Sequence, residues 1–374
     1  MTEPLAHLLP LTWLVPPGVL AGCFVVSLVA SALFSLLVIA GGPIDRPRDR
    51  GSHDRPTPTS GGLAIMAATA LGTGLTLWYA GRDISGSWKD GILLFGFATL
   101  LGLGGAIDDL FGLPARWRLG FQVAMSLLFA LCYHVDALNF GLGMVVPLSA
   151  PIGLLGSAAW LILCMNTINF MDGSNGLAAG TQALALIAIV LLALLMAPVS
   201  LLGAYLGIPV VICLCAAGAH IGFTPYNMPY GKVFQGDAGA HFAGALIGGA
   251  CLQLKAYGVG SMWFGGFLLA PLLVDVVLTL MTRLLRRRDI FKAHKEHLYQ
   301  LWLQRRDPSH MRLAFRIWAL CAFTSAVGLV ARLVDHHYGT DIRFPALVII
   351  IAGLSIGWFI VRRRLLSRPA EPTS

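Results

Sequence analysis

Apolar residues in this chain run in unbroken blocks rather than alternating with polar ones, and the blocks recur along the whole length. Many are about 20 residues long, enough for a helix to cross a bilayer core of about 30 Å. Continuous runs predict helices, because in lipid only helices and closed barrels satisfy the backbone. Eleven spans are read, at 18–42, 62–80, 91–107, 119–138, 151–168, 177–196, 201–223, 237–254, 262–284, 314–334 and 344–363. The expected fold class is all-α, a polytopic transmembrane helical bundle forming a single integral membrane domain over residues 1–374.

The polar connections between spans fall into two unequal sets. One holds Arg46 to Arg55, Arg116 and Arg118, Lys232, the stretch from Arg283 to Arg316 and the tail from Arg362 to Arg368. The other holds Arg82 to Asp90, His134 to Asp136, Lys255 and Arg332 to Arg343. The first set carries most of the Lys and Arg, so the positive-inside rule places it in the cytoplasm, with the N-terminus out and the C-terminus in. On that reading the cytoplasmic loops are 43–61, 108–120, 166–177, 224–240 and 284–313 of a plasma (inner) membrane protein.

Composition agrees. Hydrophobic residues make up 57% of the 374 positions and charged residues 12%, against about 25% charged in a soluble domain. The net charge of +8 is gathered in the loops of one side. It is therefore an orientation signal and a grip on anionic headgroups or phosphates, not a nucleic-acid footprint. Residues 1–17 contain Glu3 but no Lys or Arg, so the positive leader of a cleavable signal peptide is missing. The seven cysteines all lie inside apolar runs and are expected to be small buried hydrophobes rather than disulfides or metal ligands.

Polar and ionisable groups near a span are costly and so are functional candidates. Here they gather on the basic side. Asp108 and Asp109 close the third span, Asn166, Asn169 and Asp172 the fifth, Asp237 opens the eighth, and His294 and His297 lie in the largest basic loop. Adjacent residues on a helix point about 100° apart, so Asp108 and Asp109 divide tasks: one facing a metal or phosphate, the other a nearby Arg or Lys. A helix-end pair with Arg116 and Arg118 is the alternative. In NTINFMDGSNGL, Asn166 and Asn169 share a face, Asp172 follows at the next turn, and Gly173 and Gly176 break the helix. Two amides and a carboxylate are hard oxygen donors that suit Mg²⁺ better than Zn²⁺, or else they line a wet vestibule. Asp237 sits between Gly236 and Gly239 in KVFQGDAGAHFAG, where backbone N–H groups can approach phosphate, or serves as a helix cap. In FKAHKEHLYQL, His294 and His297 are spaced H-x-E-H beside Lys292 and Lys295. That spacing fails the zinc-protease patterns and better suits a pyrophosphate. SHDRPTPTSGG joins a basic patch, prolines and a glycine pair just before a span.

Together these segments resemble the polyprenyl-phosphate N-acetylhexosamine-1-phosphate transferases, a branch of glycosyl transferase family 4 related to phospho-N-acetylmuramoyl-pentapeptide transferase. Five blocks match in order: His53 to Gly62, Asp108 to Gln122, Asn166 to Leu177, Pro229 to Gly239 and His294 to Gln300. The HxxHLYQ form looks like the initiators of O-antigen and enterobacterial antigen. The peptidoglycan branch usually carries a histidine run there and a lysine after its aspartate pair. The resemblance implies transfer of a sugar 1-phosphate from a UDP-N-acetylhexosamine to undecaprenyl (polyprenyl) phosphate, with release of UMP. It implies Mg²⁺, or Mn²⁺ in its place, on Asn169 and Asp237, with Asp108 and Asp109 serving the lipid phosphate and Asp172 beside the diphosphate. His294, His297 and Lys292 would meet the phosphates. Asn175, Asn227 and Phe234 would form a uridine pocket, and Asn166, Arg55 and Thr57 would complete the substrate contacts. Gln235 and Ala240 depart from the family's usual Met or Leu and Ser.

A secondary transporter is the competing class, with Asp275 in APLLVDVVLTL as a coupling carboxylate, but transporter sites lie near the midplane and these groups sit at one face. Asp275 is therefore expected to be a satisfied structural polar group or a support behind the site. A peptidoglycan-type pentapeptide transferase is the rival within the family. A CDP-alcohol phosphotransferase needs D-x-x-D-G-x-x-A-R, and Asp172-Gly173 is followed by Ser-Asn-Gly. The sugar and the oligomeric state, a homodimer included, are left open.

Overall fold

The structure, a computed structural model, describes residues 15–45, 57–80, 84–141, 143–289, 292 and 294–367. The long helices are α1 (Pro17–Gly41), α2 (Gly61–Ala80), α3 (Trp88–Phe111), α4 (Ala115–Cys132), α5 (Ala150–Met171) and α6 (Leu177–Met196). They continue with α7 (Gly207–Asn227), α8 (Gly236–Ala256) and α9 (Phe264–Leu285). After a short α10 (Leu298–Arg305) come α11 (His310–Tyr338) and α12 (Arg343–Leu366). Each expected span coincides with one long helix. This is an all-α polytopic membrane protein, and among the described residues nine helices have the length and apolarity of a membrane span.

The two long helices outside those nine, α4 and α8, have physical reasons for being less apolar. Helix α4 begins with Arg116 and Arg118. Helix α8 is the axis of the bundle: every residue from Ala238 to Leu254 is buried, against α2, α3, α5 and α6. A helix enclosed by helices needs close approach rather than greasy bulk, so it is rich in Gly and Ala. A Cβ on Gly244 would lie 2.6 Å from Met165 Cα of α5, and one on Gly62 of α2 would lie 2.2 Å from the Gly239 nitrogen. Around this axis the outer helices turn Leu37, Ile92, Leu128, Ile152, Phe323 and Ile349 outward, the surface that lipid covers.

Three features depart from the expected spans. Helix α4 stops at Cys132, and residues 137–147 instead pair as an antiparallel hairpin, β3 (Ala137–Gly141) with β4 (Met144–Pro147), a shorter pair, β1 (Ile44–Asp45) with β2 (Thr57–Pro58), preceding it in the chain. Phe140 of the hairpin packs on Trp263 and Phe344, which staples α9 and α12 at the end of the bundle opposite the basic loops. Cys132 is exposed, whereas the other six cysteines are buried. Helix α10 forms within the basic loop 284–313, too short and polar to register as a span.

Candidate active site

The end of the bundle that carries the basic loops brings four carboxylates together. Arg118 Nη1 donates to Asp108 Oδ2 at 2.6 Å and to Asp237 Oδ2 at 3.0 Å, so α3, α4 and α8 meet on one guanidinium. The other Asp108 oxygen accepts the Leu113 N–H at 2.7 Å. Asp109 caps α8 from a neighbouring helix: its two oxygens accept the N–H groups of Asp237 at 3.1 Å and Ala238 at 3.2 Å. A carboxylate at a helix N-terminus is favoured by the unpaired N–H groups and the dipole. This approach requires glycine at Gly236, which has φ +65° and whose Cβ would stand 2.4 Å from Asp109 Oδ2. The aspartate pair therefore divides its tasks, Asp108 on arginine and Asp109 on the helix. Asp237 is not the cap itself; it lies in the first turn of α8.

Asp172 follows α5 and accepts from Gln235 Nε2 at 3.0 Å. Burial, and then the charges of Asp237 and Asp109, push its carboxyl well above the usual carboxylate range. Gln235 is itself buried and leaves Oε1 without a partner among the described residues. Asn169 turns Nδ2 to His241 Nε2 at 3.3 Å. Asn166 is turned away from the carboxylates: its Nδ2 donates to Gln122 Oε1 and to the Ile162 carbonyl.

The remaining blocks dock on this centre through backbone. Gly61 N and Gly62 N donate to the carbonyls of Phe234 and Gln235, and Phe234 N donates to the Pro58 carbonyl. Thr57 to Gly62 thus runs beside residues 233–236, with Thr57 buried. Arg55 lies outside the described residues. Asn227 spends its amide on the backbone, accepting from Gly176 N at 2.5 Å and donating to the Val233 carbonyl at 2.9 Å. Asn175 reaches the Pro229 carbonyl at 3.1 Å. These two side chains hold the 227–234 turn over the DGSNG loop. His310 and Trp318 of α11 hold the same loop from the other side, through Ser174, Asn175 N and the Gly176 carbonyl.

The histidine loop is built on Asp275. Its carboxylate accepts the N–H groups of Leu298 at 2.8 Å and Tyr299 at 3.3 Å, the first turn of α10, together with Trp358 Nε1 at 2.9 Å and Thr279 Oγ1 at 3.1 Å. Arg362 donates to the Glu296 carbonyl at 2.7 Å, and Arg283 pairs with the Glu296 carboxylate. His297 is buried, stacks on Phe170 and keeps Nδ1 unpartnered among the described residues. Tyr299 donates to the Phe170 carbonyl at 3.0 Å, which seats the loop beside Asp172. Lys292 is exposed. Asp275 is thus a fully used anchor. Replacing it with alanine strands two helix N–H groups and the Trp358 N–H, so we expect loss of ~1–3 kcal/mol of stability. Asp275→Asn, which keeps the shape, should instead lower kcat ~10-fold through misplacement of the loop. Thermal unfolding and steady-state kinetics check the two.

Burial, then the neighbouring His297, depress the pKa of His294 to about 4, and burial lowers that of His297. Both rings are neutral at pH 7, and His294 Nδ1 accepts the Glu296 N–H at 3.4 Å. Between the unfolded value of 6.5 and about 4, the unfolded chain binds the proton first, so stability falls as pH falls through that window. The drop in Tm from pH 7 to pH 5 should therefore be larger for the wild type than for His294→Gln.

A cavity of about 220 Å³ opens between α3 and α4, walled by Leu101, Ile107, Leu113, Trp117 and Phe121, with Arg118, Gln122 and His241 at its base. It is an apolar cleft that ends on the guanidinium of the carboxylate cluster.

The sequence profile of Glycosyl transferase family 4 matches residues 92–255, which span the carboxylates, Asn169 and α8. The chain is 30% identical over 322 residues to decaprenyl-phosphate N-acetylglucosaminephosphotransferase of Mycobacterium leprae, covering 79% of this chain and 78% of the relative. The chain belongs to glycosyl transferase family 4. Within it, the chain is also 31% identical over 315 residues to phospho-N-acetylmuramoyl-pentapeptide-transferase of Mycobacterium leprae, covering 74% of this chain and 84% of the relative. It is 29% identical over 328 residues to the Rhodococcus opacus protein of that name, covering 77% and 86%. This family 4 protein is a membrane-embedded transferase. Its residues fit a hard divalent cation: Asp108 and Asp237 share the Arg118 guanidinium, Asp109 lies on the first turn of α8, and burial, then the charges of Asp237 and Asp109, raise the carboxyl of Asp172. Among the described residues no three Asp, Glu, His or Cys side chains form a closed metal cage. Such a donor set suits a cation that keeps several waters and is completed by phosphate oxygens.

Proposed function

We propose that this chain transfers an N-acetylhexosamine 1-phosphate from a UDP-sugar to a polyprenyl phosphate such as undecaprenyl phosphate, releasing UMP and starting a lipid-linked cell-envelope glycan. The observation that carries the reading is the Arg118 guanidinium, bound to Asp108 and Asp237 at the foot of an apolar cleft. A polyprenyl chain suits the cleft, and its phosphate suits the guanidinium. The names of the relatives support the same chemistry: each transfers a phosphosugar, and those of the first kind use decaprenyl phosphate. The HxxHLYQ segment, in place of a histidine run, favours the hexosamine branch over the pentapeptide branch.

In this reading a lipid phosphate oxygen attacks the β-phosphorus of the donor, one P–O bond forms, and the bond to the bridging oxygen breaks to free UMP. The second pKa of a phosphate monoester is near 6, so most of the nucleophile is already dianionic at neutral pH and a carboxylate base adds little. Position dominates. Arg118 holds the lipid phosphate in line, and Asp108 aims Arg118. Asp109 fixes the first turn of α8 and with it Asp237. Asp237 and Asn169 would hold Mg²⁺, or Mn²⁺, which when bound would neutralise charge on the phosphates. His294, His297 and Lys292 donate to the diphosphate, with Asp172 beside it. Phe234 stacks on uracil in a pocket whose walls Asn175 and Asn227 support, while Arg55, Thr57 and Asn166 border the site. The catalytic loops face the cytoplasm of the plasma (inner) membrane, where UDP-sugars are made.

The test is a membrane assay with undecaprenyl phosphate, Mg²⁺ and a panel of UDP-N-acetylhexosamines. Lipid-dependent UMP release that stops with EDTA supports the reading, and the active donor names the sugar. No release from any donor by folded protein contradicts it.

A further inference from the structure

Beneath the carboxylates, a line of polar side chains joins α5, α4 and α8, and its polarity is forced one link at a time. Asn166 meets the Ile162 carbonyl at 2.8 Å. A carbonyl only accepts, so that end of Asn166 is the amide nitrogen. The same nitrogen meets the Gln122 side chain at 2.7 Å, which must therefore present Oε1. Gln122 then turns Nε2 to His241 Nε2 at 3.1 Å, so this ring nitrogen is an acceptor and the ring's proton sits on Nδ1. The second group on His241 Nε2 is the side chain of Asn169, at 3.3 Å, and it too must present nitrogen. Two donors sharing one lone pair accounts for both distances exceeding the common 2.9–3.0 Å. Gln122 and His241 are each 4% exposed, so water does not offer the amides an easy alternative.

We propose that His241 is a positioning residue: as a fixed acceptor it dictates which end of Asn169 faces His241, leaving the Asn169 carbonyl oxygen for the cation. An asparagine amide is nearly symmetric in shape, so without such a partner the cation-free protein can turn either end toward the site, and binding must first select the end that offers oxygen. The inference rests on the proposed assignment of Asn169 and Asp237 as cation ligands. It assigns a purpose to a histidine four residues after Asp237 that is buried at the base of the apolar cleft.

The test is Mn²⁺ binding to purified protein without substrates, read from the electron paramagnetic resonance signal of free Mn²⁺. Outer partners of metal ligands typically contribute ~10–100-fold to affinity, so His241→Leu should weaken Mn²⁺ binding at least ~10-fold. His241→Met, which also lacks a strong acceptor and retains bulk, should do the same and serves if the leucine variant does not fold. His241→Gln restores an acceptor and should bind within a few-fold of wild type. Asn169→Asp makes both ends oxygen, so adding His241→Leu to it should cost no further affinity. Wild-type Mn²⁺ affinity in folded His241→Leu or His241→Met, with affinity lost in Asn169→Ala and Asp237→Asn, would overturn the role of His241 alone. Retained affinity in Asn169→Ala and Asp237→Asn would overturn the cation assignment and this inference with it.

Discussion

Asp237→Ala is expected to lower lipid-dependent UMP release by ~10³-fold or more, beyond the ~10²–10³ usual for a single oxyanion donor. The side chain is asked to do two things. It faces the phosphates as a proposed cation ligand, and it takes one side of the Arg118 guanidinium at 3.0 Å. Its loss therefore removes charge neutralisation and frees the group that aims the nucleophile. Asp108→Asn should be milder, by at least ~10-fold, since an amide oxygen still accepts from Arg118 or from the Leu113 N–H and no cation contact is lost. Both variants should fold, because the first turn of α8 is held by Asp109 through the N–H groups of residues 237 and 238. The comparison is made as kcat/KM with both substrates varied. A greater loss at Asp108 than at Asp237, with binding intact, would return the carboxylate base to the mechanism.

Gly105→Ala should lower activity ~10²-fold with every chemical group of the site in place. Gly105 lies one turn before Asp108 in α3, and a Cβ there would stand 2.4 Å from the Asp237 carbonyl oxygen and 2.5 Å from its carbon. Backbone cannot rotate away as a side chain can, so α3 and α8 must separate at the turn that carries Asp237. A displacement of about 1 Å at reacting groups costs ~10²-fold. Gly105→Leu should fail to accumulate in the membrane, since overpacking of a buried contact destabilises strongly. Gly96→Ala is the control on the same helix, because a Cβ there meets nothing within 4 Å. Near wild-type activity in Gly105→Ala would show that the α3–α8 spacing is not what places Asp237.

The spans were legible because the bilayer imposes one length and one polarity on each helix. The polar residues at one face were legible for the complementary reason, since charge near lipid is costly. Asp108 with Arg118 was within reach because only a short Gly-Leu-Pro link separates their helices. Asn169 with His241 was not: the two are 72 positions apart, and nothing in either helix's own pattern says which neighbour it meets. Asp275 was readable as a satisfied structural group, but its partners were not, since they come from α10 and, 83 positions away, from Trp358. The hairpin at 137–147 was hidden by its brevity and by the apolar run before it. Asn227 shows the converse limit: its residue type suits a ligand, yet both ends of its amide are spent on backbone.

The most direct measurement follows the phosphorus. The purified protein is given undecaprenyl phosphate and the active UDP-N-acetylhexosamine radiolabelled in the β-phosphate. Sugar 1-phosphate transfer predicts that the label enters the lipid phase together with the sugar, in step with unlabelled UMP. Label that stays in the water phase as UDP, while the sugar alone enters the lipid, would contradict the account and make the protein a simple glycosyl donor enzyme.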